Sequence, residues 1–392
     1  MSETRPRLRV MQILPLYNRY LAEFYGLRPR LSGLSSEEQT RILLRDGCSA
    51  VHVIAPHLPP ELVESAFVVP NCRHIQRAWA EENGLALQAG EGETALLLRR
   101  IEHFRPDVLY MGDPVRYDSR FIRKLAQRPD LVLGWRAADV PHNIDWSAYD
   151  GILSGLPWML RLAPGLGAKE GIFFLPGLPP GIAREVAHIS KDIDVVFAGG
   201  ASPGQHGRRL AVLEALALGA ARHGFSFALH LSCPPALVSP AMRPYAKKAL
   251  FGLAMYKTLA RGRIVVNARG EIGLLGPQGE RILDLAQGHS VDMRLFESTA
   301  CGALLLTDQL PGLSELFEPG REIVCYTDSR DMLDKTLYYL AHERERSILA
   351  ASGRKRCLAS WNMGVAVRSF MDILASRLPG KLQGMIRNMN ST

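Results

Sequence analysis

Short apolar runs rich in β-branched residues alternate along this chain with amphipathic segments, the pattern of a parallel sheet wrapped by helices. Strands are predicted near "LRVMQIL", "AVHVIA", "AFVV", "DVLYMG", "LVLGW", "YDGILSG" and "GIFFLPG". Helical periodicity falls between them in "SSEEQTRILLRDG", "IQRAWAEENG" and "ETALLLRRIEHF", the first capped by Ser35 or Ser36. The Pro/Gly-rich passage "LPGLPPGIAREVAHISKD" then interrupts the rhythm, and a domain boundary is expected near Lys191. A second series follows: "IDVVFAGG", "RRLAVLEALALGAARHG", "SFALHLS", "GRIVVNA", "GALLLTD" and "EIVCYT". Three helical patterns end the chain, from "SRDMLDKTLYYLAHE" to "NMGVAVRSFMDILAS", before "LPGKLQGMIRNMNST", which has no periodicity.

A chain of 392 residues exceeds what one hydrophobic core usually serves, so two doubly wound α/β domains are expected. Open α/β sheets bind ligands outside the carboxyl ends of their strands, where helix N-termini offer free N–H groups. Two such domains are expected to make a cleft with loops on both walls.

Composition excludes disorder, since 47% of the residues are hydrophobic and 22% charged. The net charge of +8 fits nucleic acid, an anionic membrane surface or a phosphate-bearing ligand. Because the basic residues are scattered through helices such as "ERERSILAASGRKR", a nucleic-acid partner is not expected. Six cysteines without C-x-x-C spacing point to buried thiols in a reducing cytoplasm. The apolar run before Pro15 is too short for a signal segment or a membrane span. A cytoplasmic protein is expected, with basic surface available for peripheral attachment at a membrane.

Three stretches carry candidate chemistry. In "VVFAGGASPGQHGRRL", Gly199 and Gly200 let backbone approach a diphosphate, with His206, Arg208 or Arg209 adding charge; the other reading is a tight turn. The spacing is not G-x-G-x-x-G, so a dinucleotide is not indicated. In "GRIVVNARGE", Asn267 and Arg269 follow a strand and suit an oxygen and a phosphate, or else a solvated turn. In "MRLFESTACGALLLTD", a short helix capped by Ser290 or Asp292 turns Leu295, Phe296, Thr299 and Ala300 inward, with Arg294 and Glu297 on the other edge. Glu297 can accept two hydrogen bonds from the vicinal diol of a ribose, while the helix start faces diphosphate. The competing reading is a surface Arg294–Glu297 pair contributing well under about 1 kcal/mol.

The stretch "MRLFESTACGALLLTDQLPGLSELFEPGREIVCYTDSRDMLDKTLYYLAHERERSILAASGRKRCLASWNMGVAVRSF" resembles the donor domain of GT-B glycosyltransferases, specifically the bacterial group related to spore-maturation-type transferases. A weaker likeness to the acceptor domain of that group runs through "VVPNCRHIQRAWAEENG", "FRPDVLYMGDP" and "YDGILSGLPWML". The resemblance implies two Rossmann-like domains facing across a cleft: residues 1–190 for the acceptor and 191–362 for a nucleotide-sugar. It also implies a helix over 363–378 returning to the first domain, ahead of a tail over 379–392. It makes Glu297 a ribose contact and implies transfer to a hydroxyl of a glycan, lipid-linked glycan or protein, without a cofactor.

One departure stands out: retaining members of the wider superfamily carry Glu-x7-Glu, and the position eight before Glu297 is His289. His289 donates to a sugar hydroxyl or phosphate, or merely caps its loop, and stereochemistry is left open. Catalytic candidates are therefore His289 and, as an acceptor base, Asp113, Asp139 or His142 at strand ends. Tyr17, Asn18 and Asn71 are candidate acceptor contacts. Arg209, Arg269 and helix N-terminal amides would neutralise the departing diphosphate without a metal, since no Asp-x-Asp stands in the donor loops. Two rival readings remain: a nucleotide-sugar epimerase of the same architecture, and a non-catalytic nucleotide-binding partner of a polysaccharide assembly system.

Overall fold

Residues 7–86, 92–202, 206–289 and 292–381 are described by the computed structural model. They divide into two units, which the sequence enters in alternation. Unit 1 holds residues 1–176, 275–280 and 363–392, and unit 2 holds residues 177–274 and 281–362.

Unit 1 is built on β1 (Leu8–Ile13), β2 (Val63–Val68), β3 (Val108–Met111), β4 (Leu131–Trp135), β5 (Gly151–Ser154) and β6 (Gly171–Phe173), all parallel, in the order β2-β1-β3-β4-β5-β6. The inner strands β3, β4 and β5 are short, mostly apolar runs, buried throughout, as strands covered on both faces are, whereas the edge strand β2 is partly exposed at Glu64, Ser65 and Ala66. Around them run α1 (Asn18–Gly26), α2 (Ser36–Asp46), α3 (Arg73–Glu82), α4 (Glu93–Phe104) and α5 (Pro157–Gly165). Helix α2 starts at a full capping box, Ser35 with Glu38.

The segment "AVHVIA" is not the strand its β-branched residues suggest: residues 50–52 and 55–57 are single 3₁₀ turns. The cause is one buried side chain on β1. Gln12 donates through Nε2 to the His52 carbonyl (2.6 Å) and accepts at Oε1 from the N–H groups of Ile54 (2.8 Å) and Ala55 (2.9 Å). With those backbone groups satisfied, and β1 already flanked by β2 and β3, the segment needs no sheet partner.

Unit 2 contains β7 (Ile193–Gly200), β8 (Phe227–Ser232), β9 (Gly262–Val266), β10 (Leu304–Asp308) and β11 (Val324–Tyr326), with a two-residue edge at Ala246–Lys247. The spatial order is edge-β8-β7-β9-β10-β11, again parallel. Numbered along the chain, that is the 3-2-1-4-5-6 arrangement of a doubly wound nucleotide-binding sheet, whose crevice opens where the winding reverses, between β7 and β9. Its helices include α6 (Gly207–His223), α7 (Gly252–Arg261), α8 (Met293–Ala300), α9 (Ser329–Ala341) and α10 (Glu343–Ser360).

The last helix, α11 (Met363–Arg377), belongs to unit 1: Ala366, Phe370, Ile373 and Leu374 pack into the core formed by Leu8, Val10, Tyr110 and Trp135. Burying four large or small apolar groups on one helical stripe explains why "NMGVAVRSFMDILAS" reads as amphipathic. Arg377 adds an ion pair with Glu170 at 2.7 Å.

Candidate functional site

Three loops of unit 2 converge at the reversal of its sheet. The first follows β7. Gly199 and Gly200 have ordinary φ values; a Cβ on Gly199 would press on the Phe197 ring at 3.0 Å, while one on Gly200 would meet nothing closer than 3.6 Å. Gly200 is exposed and leaves its backbone open to close approach.

Arg209, one turn into α6, ties this loop to the second. Its Nε donates to the Ala268 carbonyl (2.7 Å) and its Nη1 to the Gly200 carbonyl (2.5 Å). Burial holds this guanidinium below its usual pKa, and the nearby Asp292 carboxylate works against that shift. A Cβ on Gly270 would come within 3.4 Å of Arg209 Nη2 and 3.1 Å of His206 Nε2, so the two loops pass at van der Waals distance.

The second loop follows β9. Asn267 is buried; its Nδ2 donates to Thr307 Oγ1 (3.2 Å) and reaches Asp292 Oδ2 at 3.5 Å, while its carbonyl accepts from the Tyr326 hydroxyl (2.7 Å). The backbone N–H of Arg269 donates to Asp308 Oδ2 (2.8 Å), and Arg269 Nε is buried without a partner among the described residues. Asp308 closes the buried strand β10, after Leu304, Leu305, Leu306 and Thr307, and is fully buried. Arg208 Nε balances its charge at 2.6 Å. The sequence reading passed over Asp308 as a site member, yet a lone carboxylate ending "GALLLTD" is itself a signal, since such a group is buried only with partners.

The third loop leads into α8. Asp292 stands at its N-cap with no side-chain cap bond, which leaves the first N–H groups of the helix uncapped by it. Ser290 lies outside the described residues. At the other end, Arg354 Nε donates to the Ala300 carbonyl (3.1 Å), a cation where the helix dipole is negative. Gly302, at φ 74°, takes the left-handed position that ends the helix.

Helix α8 is buried on nearly every side, its charged residue Glu297 included. Glu297 is 6% exposed, so Arg294–Glu297 (Nη1 to Oε2, 2.9 Å) is no surface pair. Its other oxygen, Oε1, accepts from the Tyr256 hydroxyl at 3.0 Å. Burial, and then the Glu297 charge, push the Tyr256 phenol well above its usual pKa and the Cys301 thiol up to about 12. Cys301 is therefore an inert thiol at neutral pH. Sequence reasoning missed Tyr256 because it did not recognise α7, although Met255, Tyr256, Leu259 and Ala260 already follow helical spacing.

His289 belongs to the same unit. Its Nδ1 is buried without a hydrogen-bond partner among the described residues, and a Cβ on Gly312 would lie 2.9 Å from its Cδ2.

The remaining candidates lie in unit 1. Asn71 fastens the loop between β1 and α1, accepting from Leu16 N–H (3.0 Å) and donating to the Leu16 carbonyl (2.6 Å) and to Asn18 Oδ1 (2.7 Å). Both Asn18 and Asn71 line a groove of ≈ 1240 Å³, whereas the Tyr17 side chain is largely exposed. Asp113 Oδ1 accepts from Val115 N–H, Arg116 N–H and Arg136 Nη1 at 3.2 to 3.3 Å. His142 is exposed; its Nδ1 lies 3.2 Å from the Leu275 carbonyl, which can only accept, so Nδ1 is the donor and Nε2 faces away from that bond. Asp139 accepts from Arg136 through its backbone carbonyl.

Among the described residues no group of three or more His, Cys, Asp or Glu is placed to hold a metal, and no helix is long and apolar enough to cross a membrane.

Residues 208–372 match a family described as glycosyl transferase-like. No curated protein matches the chain. Among solved structures, the chain is similar to a glycosyltransferase from Rickettsia africae at 9% identity and TM-score 0.53, over 95% of this chain and 99% of that one. It is similar to Anabaena Alr3699/HepE in complex with UDP and glucose at 10% identity and TM-score 0.57, over 94% and 100%. It is also similar to sucrose-phosphate synthase from Thermosynechococcus elongatus at 11% identity and TM-score 0.52, over 95% and 100%. At such identities the likeness is one of fold. The chain is an α/β protein of the GT-B fold whose residues 208–372 match a glycosyl transferase-like family, and together these support a transferase enzyme.

Proposed function

We propose that this protein moves a sugar from a nucleotide-diphosphate donor, bound by unit 2, to a hydroxyl of an acceptor bound by unit 1. The observation that carries the reading is the convergence of the three loops at the reversal of the unit 2 sheet, where an open glycine backbone, two arginines and a helix start that the Asp292 side chain does not cap meet.

Gly199 and Gly200 let the diphosphate approach, while Arg209, Arg269 and the first amides of α8 neutralise it as it leaves. The unpartnered Nε of Arg269 is a buried donor that a phosphate oxygen would satisfy. Each Glu297 oxygen uses one acceptor site on Tyr256 or Arg294 and retains another for a ribose hydroxyl. Arg294 thus acts on the donor by orienting Glu297, and Asn267 by holding the β9 loop against Asp292. His289, with its buried unpartnered Nδ1, is the donor-sugar or phosphate contact at the position where relatives with Glu-x7-Glu carry a glutamate. With these cations in place the reaction needs no metal, and full activity in EDTA is the expected result.

Among the acceptor bases His142 is preferred, because its Nε2 is left as a free acceptor whereas Asp113 Oδ1 already receives three bonds. Within this reading the protein belongs with the bacterial group related to spore-maturation-type transferases. It works in the cytoplasm on a glycan, lipid-linked glycan or protein acceptor, in polysaccharide assembly, and attaches peripherally to the membrane.

A thermal-shift screen against nucleoside diphosphates, repeated with Glu297→Gln, tests the donor site. At least one nucleotide should raise the melting temperature and the substitution should remove most of that rise. If no nucleotide stabilises the protein, or the variant responds like the parent, the donor assignment is wrong. Conversion of a nucleotide-sugar alone to an isomer would instead identify an epimerase.

A further inference from the structure

The groove of ≈ 1240 Å³ in unit 1 lies where β1 and β2 end, walled by α1 on one side and by α3 and the start of α4 on the other. Leu21 and Leu96 give it apolar walls, and Asn18, Asn71 and Ser32 line it with neutral polar groups. Its charge is one-sided. The one acid among the described residues of the lining, Glu93, is consumed internally: Oε2 accepts from Arg116 Nη2 at 2.7 Å and Oε1 from the Tyr117 hydroxyl. That pairing also accounts for Arg116.

Two cations of the lining are left over. Arg73 and Arg77 stand one turn apart on α3, exposed, and neither forms an ion pair or a hydrogen bond to another described residue. Like charges at this spacing repel and weaken a helix, and no described acid of unit 1 forms an ion pair with either of them. Between them His74 also lines the groove, its ring stacked on Tyr25 with centroids 4.2 Å apart and planes at 25°. A flat, fixed ring beside two guanidiniums suits a sugar bearing a negative group: the ring takes a sugar face, and the forked donors take the anion.

We propose that unit 1 recognises its acceptor through an anionic group, a phosphate or a carboxylate, clamped by Arg73 and Arg77 beside His74. This rests on unit 1 being the acceptor side of the proposed transferase. Neutral glycans are then poor acceptors, and the clamp, being exposed, weakens as salt rises.

Calorimetric titration of the full chain tests this with two pairs of probes: tetragalacturonate against maltotetraose for the carboxylate, and glucose 6-phosphate against glucose for the phosphate. A saturating nucleoside diphosphate is included wherever the thermal-shift screen finds one. At low salt at least one anionic probe should bind about tenfold or more tighter than its neutral counterpart, and which pair shows it names the group. Arg73→Gln/Arg77→Gln should abolish that preference. Arg41→Gln/Arg45→Gln, with the same charge and spacing on α2 but outside the groove, should keep it. Circular dichroism melting checks that both doubles are folded. Equal binding of neutral probes, no binding of any anionic probe, or an equal loss in the α2 double would overturn the proposal. Nucleotide melting shifts on the same samples keep the two readings apart: anion binding that survives without any nucleotide response removes the donor assignment alone and leaves the groove standing.

Discussion

In unit 2 most groups at the candidate site are already bonded to one another, with Arg269 Nε and His289 Nδ1 left without a partner among the described residues. Arg209 holds two carbonyls, Asp308 takes Arg208 and the Arg269 amide, and Glu297 takes Tyr256 and Arg294. In unit 1 the groove exposes Arg73 and Arg77 with nothing to hold. The difference teaches how a site is made rigid. Buried charges require partners, and those partners fix geometry; exposed charges keep their hydration and their freedom until a ligand arrives. On the proposed reading, the preorganised site would suit one nucleotide and the loose basic groove acceptors that share an anion and differ elsewhere.

The contrast can be broken most sharply at Glu297. Glu297→Ala leaves the buried Tyr256 hydroxyl and the half-buried Arg294 guanidinium without their carboxylate, and should cost about 3–5 kcal/mol of stability in urea denaturation. A loss under about 1 kcal/mol would mean the pair is effectively solvated and the site not preorganised.

A second test asks whether unit 1 also carries an uncompensated buried group, away from its groove. Burial lowers the pKa of His52 to about 4, and its Nδ1 has no partner among the described residues. Because the folded value lies below the unfolded one of about 6.5, the unfolded chain binds the proton first, and stability falls as pH drops from about 6.5 through 4. The loss attributable to His52 should be about 3 kcal/mol at most, read as the difference in acid sensitivity between the parent and His52→Gln. Identical pH profiles would show that the ring is solvated.

Arg209→Met comes next. It removes both charge-assisted bonds that tie the β7 and β9 loops and should cost about 2–3 kcal/mol, with nucleotide binding weakened in parallel. Retained nucleotide binding in a destabilised variant would make Arg209 a strut and not a ligand. The smallest effect is expected in unit 1: Arg73→Gln/Arg77→Gln should change stability by less than about 0.5 kcal/mol, in keeping with exposed side chains that hold nothing in the free protein.

Much of the architecture was legible because the period of apolar residues tracks burial directly. "IDVVFAGG" coincides with β7, "ETALLLRRIEHF" with α4, and Gly302 sits at the left-handed end of α8. "AVHVIA" misled because composition records a taste for β structure but not whether a neighbouring strand is free; Gln12, some forty residues away, had already taken its backbone groups. At the candidate site the residue types of Glu297, Arg209 and Arg269 were readable, but their partners were not. Tyr256 reaches Glu297 from 41 residues away and Arg354 caps α8 from 54.

The sequence by itself determined the two doubly wound sheets, the helices that cover them, and the glycine and carboxylate positions that sit at strand and helix ends. These follow from local periodicity and local backbone preference, which a short window contains. Only the tertiary structure decided that Glu297 of the Arg294–Glu297 pair is buried, that Asp308 is charge-balanced by Arg208, and that Arg73 and Arg77 are left without partners among the described residues. Burial and pairing are properties of chain segments brought together from far apart, and the free energy of a charge depends on that company and not on its own neighbours in sequence.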